Sequence, residues 1–80
     1  MDSELYMKVC TEEDVAIKKW GHNDRTPSDL LCALVEEAGE VAHAINHNEG
    51  KDQLNQEIVE AIGILSRLYN MVNLRSESFN

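Results

Sequence analysis

The residues that could do chemistry in this chain are carboxylates. Glu37 and Glu40 stand three apart in the run Glu36-Glu37-Ala38-Gly39-Glu40, and Glu57 and Glu60 repeat that spacing in Glu57-Ile58-Val59-Glu60. On a helix, residues three apart lie one turn apart on the same face. In an antiparallel hairpin, residues equally far from the turn stand at the same height. Glu37 with Glu60, and Glu40 with Glu57, share one midpoint, between Asn48 and Glu49. Four acids would therefore meet at two levels of facing helices. Glu37 lies near the apolar seam of Leu34 and Val41, Glu57 is one turn before Ala61, and Glu60 flanks the same seam, so these acids do not point straight into solvent. Carboxylates crowded together and partly desolvated either take up protons or bind a cation. Ligands that are all oxygen suit a hard cation, Mg²⁺ or Mn²⁺, rather than zinc. The plainer alternative is a solvated acidic face laced by helix ion pairs. Between Glu36 and Glu60 the only lysine or arginine is Lys51, too few for such pairing.

Three helices are expected to carry these residues. The first starts near Thr11, which can cap it, with Glu12, Glu13 and Asp14 at the positive end of its dipole and Lys18 and Lys19 at the other. It stops at Gly21. Residues 1–10 either extend it or form an ordered arm. The second opens at Thr26-Pro27, with Asp29 placed to complete a capping box. Its apolar residues Leu30, Leu31, Leu34, Ala38, Val41, Ala42 and Ile45 recur at helical spacing to about His47. After the loop Asn48-Glu49-Gly50, the third begins near Lys51 or Asp52 and runs to about Leu74. Its residues Leu54, Ile58, Ala61, Leu65, Leu68 and Val72 form a heptad-like seam. The fold class is thus all-α: a short first helix plus an antiparallel helical hairpin in a single domain, residues 1–80, with a core of about 12–74 and a frayed tail at 76–80. A chain of 80 residues is marginal alone. Pairing two hairpins into a four-helix bundle is the natural completion, so a homodimer or homotetramer is expected.

Composition excludes several partners. Fifteen acidic against seven basic residues give a net charge of −8, which speaks against binding a nucleic-acid polymer. No apolar run is long enough to span a bilayer and no signal segment is evident. Cys10 and Cys32 fit no metal or disulfide pattern and read as reduced thiols, so a cytoplasmic location is expected.

The acids sit in a recognisable setting. The order Glu-Glu-x-x-Glu, a spacer, then Glu-x-x-acid resembles the signature of the all-α nucleoside triphosphate pyrophosphohydrolases, the MazG-like superfamily. Around it, the run from Trp20 to Ser28 (Trp-Gly-His-Asn-Asp-Arg-Thr-Pro-Ser) and the run from Leu34 to Ile45 are similar to small MazG-like proteins. The likeness covers roughly residues 12 to 72. It implies a metal-dependent enzyme that cleaves a nucleoside triphosphate between the α- and β-phosphates, giving monophosphate and pyrophosphate. It places the Mg²⁺ (or Mn²⁺) ligands on Glu37, Glu40, Glu57 and Glu60. Glu60 is a departure, because the family usually has Asp there. Glu36 or Glu37 would accept the proton of the attacking water.

Substrate contacts are less sharply marked. Trp20 could stack on a base, and equally could close the first helix against the hairpin. Lys18, Lys19, Lys51, Arg67 and Arg75 could meet phosphates, and Asn70 and Asn73 a base or sugar. His43 and His47 read as exposed positions near a helix end, although Glu40-x-x-His43 also has the form of half a di-iron site. Two other functions therefore stand beside the enzyme: a non-catalytic helical oligomer that binds nucleotide or metal, and a di-iron protein.

Overall fold

The computed structural model describes residues 1–20 and 26–74, apart from the side chains of Trp20 and Leu74. It is all-α, with three helices in the order α1 (Ser3–Trp20), α2 (Pro27–Asn46) and α3 (Lys51–Leu74). The first helix is not short. It runs 18 residues and starts at Ser3, because Asp2 caps it: the Leu5 N–H donates to Asp2 Oδ1 at 2.9 Å. Thr11 then falls inside the helix and its hydroxyl donates to the Met7 carbonyl at 3.0 Å instead of capping. Glu12 moves with it, from an expected N-terminal turn to the middle of α1.

The start of α2 follows the sequence closely. The Asp29 N–H donates to the Thr26 hydroxyl and the Thr26 N–H to the Asp29 carboxylate, both at 3.1 Å. The other end closes as a Schellman turn, with the Glu49 N–H donating to the Ala44 carbonyl at 3.1 Å. That closure puts Asn48 in the left-handed region, at φ 51°, which asparagine tolerates. Gly50, at φ 100°, then turns the chain into α3 where a side chain would be strained. The four residues from His47 to Gly50 make a tight helical hairpin and set the register of α2 against α3.

The central helix is α3, which packs on both α1 and α2, while α1 and α2 do not pack on each other. Serving two neighbours changes the expected seam. Rather than one heptad stripe, α3 buries Glu57, Val59, Gly63 and Ile64; Leu54, Ala61, Leu68 and Val72 are half-buried, and Ile58 and Leu65 stay exposed. The apolar core is small: Val9 and Ala16 of α1, Leu30 and Ala44 of α2, Val59 and Ile64 of α3. Much apolar surface remains outside it, including Leu31, Val35 and Ile45 on α2 and Ile58, Leu65 and Tyr69 on α3.

Candidate metal centre

The hairpin register brings three of the expected acids together. Carboxylate oxygens of Glu37, Glu57 and Glu60 all lie within 4.8 Å of one another. Glu37 is half-buried on α2, and Glu57 is only 9% exposed on α3. Two glutamines one turn earlier on α3 hold the α3 acids. Gln53 Nε2 donates to Glu57 Oε1 at 2.5 Å, and Gln56 Nε2 to Glu60 Oε1 at 3.3 Å. Glu37 has no such helper, and its Oε1 is buried with no hydrogen-bond donor in reach. Its carboxyl is pushed up to about 9, first by burial, then by hydrogen bonding to Glu57 and Glu60 and by their charges. The physical reason is simple. Carboxylates can only accept, so three of them converge stably only if a proton or a cation is shared among them.

This donor set fits a hard divalent cation. All ligands are oxygen, they come from two rigid helices, and Glu37 Oε1 is a buried acceptor without a donor. Among the described residues no histidine or cysteine joins the group, which is unlike a di-iron pattern with Glu-x-x-His arms. His43 instead stacks on His47, ring centroids 4.1 Å apart, and its Nε2 lies 3.0 Å from Glu49 Oε2 at the hairpin turn.

Glu37 and Glu60 open onto a groove of about 920 Å³, within the range of small-molecule sites. Its floor is α3, through Asn55, Gln56, Val59, Glu60, Ile64 and Arg67. Glu37 and Ala33 of α2 form one wall, and α1 forms the other, through Met7, Lys8, Glu12, Val15, Ala16 and Lys19 among others. Its lining carries the carboxyl groups of Glu4, Glu12, Glu37, Asp52 and Glu60, the cations Lys8, Lys19 and Arg67, and apolar surface from Met7, Val15, Val59 and Ile64. Glu12 is half-buried here. Burial raises its pKa first and Glu60 raises it further, while Arg67 and Lys19 act in the opposite sense.

The remaining expected residues lie apart. Glu40 and Glu36 are exposed on α2, Glu40 one turn beyond Glu37. Lys51 and Asn70 are exposed on α3 and do not line the groove, whereas Arg67 does. The Trp20 side chain and Arg75 lie outside the described residues. Sequence reasoning missed Gln53 and Gln56, although each precedes its acid by four residues, a readable helical pairing. It also missed Glu12 and Lys8, whose place depends on how α1 packs.

A helical hairpin that gathers Glu37 from one arm and Glu57 and Glu60 from the other beside a groove makes a candidate divalent-cation site. The comparison with protein families narrows it. The model of the MazG nucleotide pyrophosphohydrolase domain matches residues 25–76, and the chain belongs to that family. The match takes in α2, the turn and α3, with all of the expected acids. No curated protein and no solved structure matches the chain.

Proposed function

We propose that this protein is a divalent-metal-dependent nucleotide pyrophosphohydrolase, cleaving a nucleoside triphosphate to the monophosphate and pyrophosphate. The observation that carries the reading is the convergence of Glu37, Glu57 and Glu60 within 4.8 Å, two of them lining the groove, in a chain of the MazG family. Mg²⁺ is the cofactor of choice and Mn²⁺ its substitute. Glu37, Glu57 and Glu60 would hold it, and Glu40, free to turn from its exposed place one level away, is assigned as the fourth ligand. A bound cation supplies charge neutralisation at the phosphates and a water of lowered pKa. The chain's own groups do the rest. Gln53 and Gln56 keep the Glu57 and Glu60 carboxylates aimed at the cluster. Glu37, the acid whose protonated form is most favoured, and Glu36 beside it are the acceptors proposed for the water's proton. Arg67 neutralises the polyphosphate along the groove; Trp20, Lys51, Asn70 and Arg75 are weaker assignments as substrate contacts.

The same reading makes the protein a homo-oligomer. Leu31, Val35 and Ile45 of α2, with Ile58, Leu65 and Tyr69 of α3, leave an apolar face on the hairpin. A second hairpin laid on that face would complete a four-helix bundle. No helix among the described residues is long and apolar enough to cross a membrane, and Cys10 and Cys32 are free thiols; cytoplasmic location is the proposal that goes with them.

Product analysis tests the reaction. A panel of standard and modified nucleoside triphosphates, incubated with and without Mg²⁺, should yield monophosphate and pyrophosphate only with the metal. Diphosphate and inorganic phosphate would mean a different bond is cut. Metal binding with no product from any nucleotide would favour the non-catalytic binding module.

A further inference from the structure

A second group of ligating side chains stands at the hairpin turn, apart from the acids. His43 and His47 lie four residues apart at the end of α2, and their rings stack with centroids 4.1 Å apart. Two histidines at that spacing share one helix face, the arrangement by which a helix chelates zinc. Glu49 comes to them from the turn. Its backbone N–H donates to the Ala44 carbonyl at 3.1 Å, which folds the turn back over the last residues of α2. Its carboxylate then meets His43, with Nε2 and Oε2 3.0 Å apart. Two ligands of one zinc ion, each about 2.1 Å from it, stand roughly 3.0–3.4 Å apart, so this pair needs little movement to share a cation. His47 is exposed and turns about its side-chain bonds to bring a third ligand. The C-terminal end of a helix, with its carbonyls, is also where positive charge is favoured.

We propose that His43, His47 and Glu49 form a second cation site, for a borderline divalent transition metal such as Zn²⁺. Imidazole with carboxylate is a donor set that suits such ions, whereas the oxygen-only set of Glu37, Glu57 and Glu60 suits Mg²⁺. The two sites are separate: His43 lies six residues beyond Glu37, about 9 Å along α2. The position gives the site something to act on. Asn48, at φ 51°, and Gly50, at φ 100°, flank Glu49 in the turn. A cation that joins Glu49 to the end of α2 braces the turn that sets the register of α2 against α3. The inference stands independently of the hydrolase reading, because no residue of the acid cluster takes part.

The test uses the full chain with Zn²⁺ as the probe, added in the presence of excess Mg²⁺ to compete for the acid cluster. Binding is followed through the imidazole Cε1–H resonances of the three histidines, His22, His43 and His47. The expected result is that the His43 and His47 signals move together and saturate at one Zn²⁺ per chain, while Mg²⁺ alone moves neither. His43→Ala and His47→Ala assign the signals, and each should weaken Zn²⁺ binding, measured by calorimetry, at least about tenfold. Glu49→Gln should weaken it by about tenfold. Zn²⁺ should also raise the midpoint of thermal unfolding in the wild type and not in His43→Ala. Glu57→Gln should leave the histidine shifts as they are. A protein carrying both Cys10→Ser and Cys32→Ser, free of thiols that could also take zinc, should give the same shifts. Circular dichroism confirms the helix content of every variant. Histidine signals that stay in place in excess Zn²⁺, movement of His22 alone, one Zn²⁺ per two chains, or shifts lost in Glu57→Gln or in the thiol-free protein would overturn the proposal.

Discussion

The hairpin of α2 and α3 has two faces that spend its residues differently. One turns Glu37, Glu60, Gln56 and Arg67 toward the groove under α1. The other carries Leu31, Val35, Ile45, Ile58, Leu65 and Tyr69 outward. Neighbouring residues divide between them: Leu30 is 1% exposed and Leu31 53%. The contrast teaches that the core of one chain is used to fix the register of the hairpin, and hence the acids, and is not used to cover the apolar surface. A domain this small has too little interior for both tasks.

The sharpest way to break the contrast is on the polar face. Glu57→Gln removes a buried charge from the cluster while keeping the side chain's shape, and activity should fall at least about 100-fold with helix content unchanged. Measured pyrophosphate release against circular dichroism separates those two outcomes. On the buried side, Leu30→Ala should destabilise the chain by about 2–5 kcal/mol. Leu31→Ala on the outer face should instead act through association, shifting the midpoint of thermal unfolding only where it depends on protein concentration. An equal, concentration-independent loss in both variants would remove the distinction between the two faces.

pH offers a gentler probe of the cluster. The Glu37 carboxyl is raised to about 9 in the fold, against an ordinary 4.5. A raised acid binds its proton more tightly when folded, so its contribution to stability is full below the ordinary value and is lost as pH climbs from there toward 9. Metal-free protein should therefore become easier to unfold over that window. Cation binding must displace the same proton, so Mn²⁺ affinity should rise with pH, by about tenfold per unit if one proton leaves per ion. A flat affinity profile would place the proton elsewhere. The smallest effect expected is at the α2 cap, where Thr26→Ala should cost about 1 kcal/mol in urea unfolding and leave metal binding alone.

Much of the hairpin was legible from the sequence because its signals are local. Thr26-Pro27 with Asp29 marks the start of α2, and Asn48 and Gly50 mark its turn. Once the turn is placed, the meeting of Glu37 with Glu60 follows from counting residues, and Glu57 joins them from one turn away. Glu40 shows where counting stops: it shares a height with Glu57 but stays exposed, since height does not fix how far around its helix a residue sits. The first helix takes the longer of the two forms open to residues 1–10, because Asp2 and Thr11 are both residue types that can cap and only packing chooses between them. That choice moved Glu12 from a helix end to the groove. The α3 seam was read as one stripe because periodicity cannot show that a helix has two neighbours. Arg67 was marked only as one of several cations; its place in the groove comes from the packing of α1 over Gly63.

If the converged acids make a metal-dependent hydrolytic centre, removing one of their charges must cost the metal-dependent reaction. Pyrophosphate release from the best nucleotide of the panel is measured at graded Mg²⁺ for the wild type and Glu57→Gln, both verified as folded. The wild type should show saturable Mg²⁺-dependent release and the variant at most about one hundredth of it. Equal release from the two proteins, or release by the wild type that ignores Mg²⁺, would contradict it.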